Sequence, residues 1–241
     1  LPEIFAHFAE ELCIRKKISY AIFVQNGYCL QPTNNYKLLD KVYKNSKFIL
    51  SYSKDITRCV TTAFPFCKNK IQEIKYSINK SHFDYSIKKR NIITYMPRKL
   101  PDHSSQLFFF LRNKLPKTWS IKSIHNMKQD KVYKYLVQSK IFLAFSKLEG
   151  LPLPPVEAAI AGNKVIGYTG EGGKEYWNEP VFTEIHNGDF GKFTSEILKF
   201  IKKGKKDKKF HSIRKKLIKT FSPSLEIYKI KKMLQKISSF Y

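Results

Sequence analysis

The chain has 241 residues, 42% apolar and 27% charged, a globular composition that excludes disordered and fibrous classes and suffices for two compact domains. Its longest apolar runs, such as residues 107–111 and 141–145, fall far short of a bilayer span, and no basic-then-apolar segment opens it, so neither a membrane-spanning nor a secreted protein is expected. Lys and Arg number 45 against 19 Asp and Glu, a net charge of +26 that attracts nucleotides, phosphorylated sugars, nucleic acid or an anionic membrane face, although a compositional bias of the genome would produce the same excess.

The sequence begins Leu1-Pro2 inside a segment that already reads as helix, so an upstream part of the protein is expected to be missing. Residues 2–17 put Ile4, Phe5, Phe8 and Leu12 on one helical stripe. A β-rich run over 20–24 ends at the turn pair Asn26-Gly27. A helix is predicted over 36–45 and a strand over 48–52, after which Ser53 suits the cap of a helix that Pro65 stops. A strand over 71–77 closes this first series. Cys13, Cys29, Cys59 and Cys67 form no CxxC pair and no zinc spacing, and read as thiols of a reducing cytosol.

After the charged break Lys88-Lys89-Arg90 the alternation restarts. Strands are predicted over 91–96, 119–124, 141–145, 164–168 and 181–185, and helices over 104–114, 130–138, 154–161, 190–203, 208–220 and 224–238. The expected class is therefore α/β: two Rossmann-like parallel-sheet domains, the first one incomplete. The boundaries are expected at 1–87, 88–222 and a terminal helix over 223–241 that packs back on the first domain. Lys202 to Lys209 is a lysine-dense stretch that reads as a solvated loop or a contact with an anionic membrane.

Ligands of open parallel sheets bind beyond the carboxyl ends of the strands, so the loops that follow strands hold the candidate site. The richest loop runs from Ser146 to Gly162, where Glu149 leaves a strand and Glu157 lies near the start of the helix begun by Pro154-Pro155. Two carboxylates in one crevice can accept hydrogen bonds from sugar and ribose hydroxyls. The next loop, Tyr168 to Trp177, carries Gly172-Gly173, whose backbone can approach a phosphate closely. A third, after the strand at Ile92, carries Arg98-Lys99, two cations placed to clamp a diphosphate. Each feature alone has a plain structural explanation; their shared position after strands suits a nucleotide-sugar.

Glu149, Gly150, Leu153, Pro154, Pro155, Glu157 and Ala158, together with the loop 170–175, resemble the Glu-x7-Glu segment of the GT4-type (group 1) retaining glycosyltransferases, which have the GT-B fold. The resemblance covers residues 88–203 well, and the earlier part looks like the second half of that family's amino-terminal domain. It implies a glycosyltransferase of the EC 2.4 class, hexosyl- or deoxyhexosyl-transferring, that moves sugar from a nucleotide-sugar to an acceptor hydroxyl with retention. It also implies a place in polysaccharide or glycoconjugate synthesis, with a carbohydrate or lipid-linked acceptor, in the cytoplasm or against the inner membrane face. By position, Glu157 would hold the ribose and Glu149 the donor sugar. Arg98 and Lys99 would neutralise the leaving diphosphate without a metal, so no cofactor is expected. Gly150 and Leu153 would belong to the donor site, Gly172 and Gly173 would face the diphosphate, and His125 and Asn126 would border the base.

Two departures stand out. The family often has Gly where Pro152 stands, which removes one backbone donor, and its Arg and Lys are about five positions apart where Arg98 and Lys99 are adjacent. A non-catalytic sugar- or nucleotide-binding subunit of the same fold is therefore the alternative. A nucleic-acid module is the more distant rival: the sequence carries no RNP-like strand, helix-turn-helix spacing or zinc finger, and nucleic acid is not an expected partner.

Overall fold

The structure, a computed structural model, describes residues 1–204 and 207–238, so Lys205 and Lys206 of the lysine-dense stretch lie outside it. The described residues divide into two compact units, 1–77 with 148–151 and 223–238, and 78–147 with 152–204 and 207–222.

The first unit contains β1 (Ala21–Val24), α1 (Tyr36–Asn45), β2 (Phe48–Ser51), α2 (Lys54–Ala63) and β3 (Ile71–Glu73). Its three strands pair in parallel in the order β1-β2-β3. The helix starts are legible in the chain: the Asn35 side chain accepts the Leu38 N–H at 3.0 Å, and Ser53 Oγ accepts the Ile56 N–H at 3.1 Å. Ile22, Val24, Ile49, Val42, Ile56 and Val60 form the core, with Tyr43 stacked on Phe64 at 3.8 Å between ring centroids. The segment before β1 is helical as expected, but it is a 3-10 turn over Glu3–Phe8 followed by a π turn over Glu10–Ile14. It buries Ala6, Ala9 and Cys13, whereas Ile4, Phe5, Phe8 and Leu12 lie outward and about half exposed.

The second unit contains β4 (Ile92–Tyr95), α3 (Pro101–Leu111), β5 (Ser120–Ser123), α4 (Gln129–Gln138), β6 (Ile141–Glu149), α5 (Leu153–Ile160), β7 (Lys164–Glu171), β8 (Phe182–Glu184), α6 (Phe190–Lys203) and α7 (Lys208–Thr220). The five strands lie in the order β5-β4-β6-β7-β8, with β4 parallel to both β5 and β6 and β7 parallel to β8. Along β6, Ile141, Leu143 and Phe145 join Leu107 and Leu111 of α3 and Phe193 and Ile197 of α6 in one core. The alternate residues Phe142 and Ala144 are equally buried, so both faces of this strand are covered. Helix α3 packs on α6, while α5 packs on α4 and α7. Gly204 ends α6 in the left-handed conformation, φ 43°, as a helix-terminating glycine does.

The boundary between units falls at Ser77, ten residues before the expected 87. Residues 78–87 join the second unit because Ile78 N–H donates to Phe221 O at 2.8 Å and Phe83 packs edge-on against Tyr133 of α4. The terminal helix α8 (Pro223–Ser238) groups with the first unit, where Ser77 Oγ donates to the Glu226 carboxylate at 2.5 Å. β3 stops at Glu73, four residues short of its expected end. All four cysteines are free thiols, and among the described residues no helix is long and apolar enough to cross a membrane.

Candidate active site

Numbered within the second unit, the strand order is 2-1-3-4-5: the chain leaves β4 for β5 through α3, then passes back across β4 to β6 through α4. Connections run in opposite directions from β4 and β6, so the topological switch point, the place where open α/β sheets hold their ligands, lies at the carboxyl ends of these two strands. The turn after β4 carries Arg98 and Lys99, both exposed. Pro101 starts the following helix at a position whose N–H has no helical partner in any case. The loop after β5 carries His125 and Asn126, both exposed, Asn126 with φ 49°. Arg98 and Lys99 thus follow β4, His125 and Asn126 follow β5, Leu153 and Glu157 lie in α5 after β6, and Gly172-Gly173 follow β7, each in a segment that leaves a strand of the same sheet.

Glu157 is the electrostatically unusual member of this set. Burial alone pushes its carboxyl above the ordinary carboxylate range. Among the described residues its side chain makes no hydrogen bond or ion pair. It lies within electrostatic range of Tyr133 on α4, whose phenol is raised chiefly by burial and further by this carboxylate; Tyr133 OH accepts from Gln129 Nε2 at 2.6 Å. Tyr133 and Gln129 were not among the candidates drawn from the sequence. Their spacing of four on one helical face was the available signal, and Tyr133 reads there only as core.

Gly150 has a different place from the one expected. Residues 148–151 group with the first unit, where Ser53 Oγ donates to Gly150 O at 2.5 Å and Asn26 Nδ2 donates to Leu148 O at 3.4 Å. A Cβ on Gly150 would stand 2.6 Å from Gln25 O and 2.7 Å from the Ile56 side chain, so close backbone packing explains this glycine without a ligand. Glu149, half-buried at the end of β6, belongs to this same short segment.

The glycine loop also differs from its expectation. No helix follows β7; residues 172–176 form turns. The Gly172 N–H donates to Gly170 O at 3.0 Å and the Gly173 N–H to Thr169 O at 3.1 Å, so both N–H groups are engaged within the loop. A Cβ on Gly173 would lie 2.3 Å from Thr169 O and 3.2 Å from Pro152 Cγ. Pro152 is fixed from a second direction by Tyr176 OH, which donates to Pro152 O at 2.5 Å. The residue that departs from the usual glycine therefore plugs a tight seat made by Gly173 and Tyr176. Below the edge, His103 Nδ1 and Tyr168 OH are 3.0 Å apart, and the Gly188 N–H donates to the same phenol at 3.3 Å. His103 is packed against Tyr168 and Phe190, a structural histidine. Among the described residues no group of three or more His, Cys, Asp or Glu could hold a metal ion.

No profile of a known protein family matches the sequence, and no curated protein matches it. Solved structures do. TarM of S. aureus, in complex with fondaparinux, α-GlcNAc-glycerol and UDP, superposes with a TM-score of 0.69 at 12% identity over 90% of this chain and 51% of TarM. HepE of Anabaena, in complex with UDP, gives a TM-score of 0.73 at 10% identity over 98% of this chain and 76% of HepE. The lipopolysaccharide outer core galactosyltransferase WaaB gives 0.67 at 12% identity over 97% of this chain and 73% of WaaB. The chain spans about half the length of TarM and about three quarters of HepE and WaaB. Its two parallel sheets, of three and five strands, are the α/β architecture of these GT-B glycosyltransferases.

Proposed function

We propose that the chain is the donor-binding part of a glycosyltransferase, which moves a glycosyl unit from a nucleotide-sugar to an acceptor hydroxyl with retention at the anomeric carbon. The observation that carries this reading is Glu157: a desolvated carboxylate with no hydrogen bond or ion pair among the described residues, on the helix that follows the switch-point strand β6 of a doubly wound sheet. Two hydroxyls of a ribose are the donors that such a group lacks. The glycosyltransferase neighbours crystallised with UDP and, for HepE, UDP-glucose support the same choice of ligand.

In this reading the C–O bond from the anomeric carbon to the diphosphate breaks and one to the acceptor oxygen forms, while the acceptor proton leaves with the nucleoside diphosphate. Arg98 and Lys99 meet the charge that builds on the leaving diphosphate, the role a divalent cation plays elsewhere, so no metal is needed. Glu149 contacts the donor sugar, Leu153, Gly172 and Gly173 wall the donor, and His125 with Asn126 borders the base. Gly150 shapes the turn that presents Glu149. The acceptor is a carbohydrate or lipid-linked glycan of polysaccharide or glycoconjugate synthesis, made in the cytoplasm or at the inner membrane face.

One observation favours a second reading, a non-catalytic nucleotide-sugar-binding subunit: the Gly172 and Gly173 N–H groups are engaged internally and Pro152 has none. Assay of the full-length protein for release of UDP or GDP from their sugars separates the two. Turnover that falls about 10²–10³-fold in Arg98→Ala supports the enzyme; donor binding without turnover supports the subunit; no binding of any nucleotide-sugar overturns both.

A further inference from the structure

A groove of about 810 Å³ runs along the outer edge of the second unit, between the edge strand β5, the start of β4 and helix α4. The α4 residues that line it, 130, 131, 134, 135 and 138, recur at helical spacing on one face, opposite the buried Tyr133, Leu136 and Val137. Because α4 runs back along the sheet over ten residues, this face is about 15 Å long. One end of the groove, at Lys122 and Lys131, lies next to the loop that holds His125 and Asn126; the other, at Arg90 and Gln138, reaches the amino ends of the strands.

Its chemistry is one-sided. Arg90, Lys122, Lys131 and Lys134 face the groove against a single carboxylate, Asp130. None of the four cations makes an ion pair among the described residues, unlike Lys41, Lys164 or Lys174, which hold Glu10, Glu179 and Glu171. The neutral lining, Tyr135, Gln138 and the hydroxyls of Thr118 and Ser120, offers one ring face and several hydrogen-bonding groups.

We propose that this groove holds an anionic glycan chain, one that carries phosphate, sulfate or carboxylate groups. The four cations take the acidic groups, and Tyr135 and Gln138 take a sugar face and hydroxyls. The choice of a glycan rests on the glycosyltransferase reading and on the lining itself, because a groove for single-stranded nucleic acid presents successive aromatic platforms and this one has a single ring. The site is separate from the donor crevice and lets a growing acidic polymer stay attached beside it.

Binding of fluorescent dextran sulfate oligosaccharides, neutral dextran and a single-stranded oligonucleotide of equal charge, in about 0.15 M salt, tests this. The chain is compared with Lys131→Glu/Lys134→Glu and with Lys215→Glu/Lys216→Glu, an equal charge change at exposed positions of α7. The expected result is dextran sulfate binding weakened about tenfold or more in the α4 variant and less than about twofold in the α7 variant, with no binding of neutral dextran. Equal weakening in both variants, an oligonucleotide held as tightly as dextran sulfate, or no binding of dextran sulfate overturns the proposal. The melting shift induced by UDP is read on the same samples: its persistence in the α4 variant leaves the donor reading intact whatever the groove does, and its absence from the unmodified chain counts against the donor reading alone.

Discussion

Glu157 is the group whose burial weighs on stability and on which the proposed donor site rests. A carboxyl whose folded-state pKa is raised binds its proton more tightly in the folded than in the unfolded chain. The folded state is therefore favoured at acid pH, and that advantage is lost as pH rises from the unfolded carboxylate value through the raised one. At neutral pH the ionised group is a net expense, so Glu157→Gln is expected to raise the melting temperature by about 2–4 °C, the equivalent of about 1 kcal/mol, and to flatten this part of the pH–stability curve. A thermal melt series between pH 4 and 8, on the order of a unit apart, checks it: a variant less stable than the parent at pH 7 would mean that the carboxylate has a structural partner. This residue was legible from the spacing of the two glutamates, but its desolvation was not, because burial is decided by the elements that pack on α5, namely α4, α7 and β7.

At the scale of elements, the strand–helix alternation was readable because each start carries its own chemistry. Ser53 caps α2 as expected and Pro154-Pro155 opens α5, while the caps at Asn35 and Asp189 follow the same chemistry without having been singled out. What the pattern did not hold was where glycines serve packing. Gly150 and Gly173 read as ligand-facing, yet each is demanded by a backbone oxygen that only the folded chain brings near. Gly173→Ala is expected to cost about 1–3 kcal/mol, since its Cβ would meet Thr169 O at 2.3 Å. Ser53→Ala removes both the cap of α2 and the bond to Gly150 O, and is expected to cost about 1–2 kcal/mol. Urea denaturation gives both numbers; a neutral Gly173→Ala would show that the loop has room to shift and that the Pro152 seat is loose.

At the scale of the molecule, the net charge of +26 was visible at once and its meaning was not. The structure sorts it in part: some lysines are tied to carboxylates, as Lys164 is to Glu179, while four cations that make no ion pair among the described residues line one groove. The apolar row Ile4, Phe5, Phe8 and Leu12 was legible as a stripe, but its direction was not, because periodicity tells which residues share a face and not which face finds a neighbour. Here Ala6 and Ala9 are the inward residues, small enough for the close approach to β1 and α1. An exposed row of this kind binds hydrophobic dyes. Phe5→Ser/Phe8→Ser is expected to lower anilinonaphthalene sulfonate emission clearly without lowering the melting temperature; unchanged emission would place the dye-binding surface elsewhere.

In the proposed function a nucleotide-sugar supplies the hydrogen bonds that Glu157 lacks. Isothermal titration of UDP-, GDP- and ADP-sugars into the full-length protein and its Glu157→Gln variant measures this directly. Saturable binding of at least one of them is expected, weakened on the order of tenfold or more in the variant, as loss of charge-assisted hydrogen bonds implies. Equal affinity in the two proteins, or no binding of any nucleotide-sugar to the parent, would contradict it.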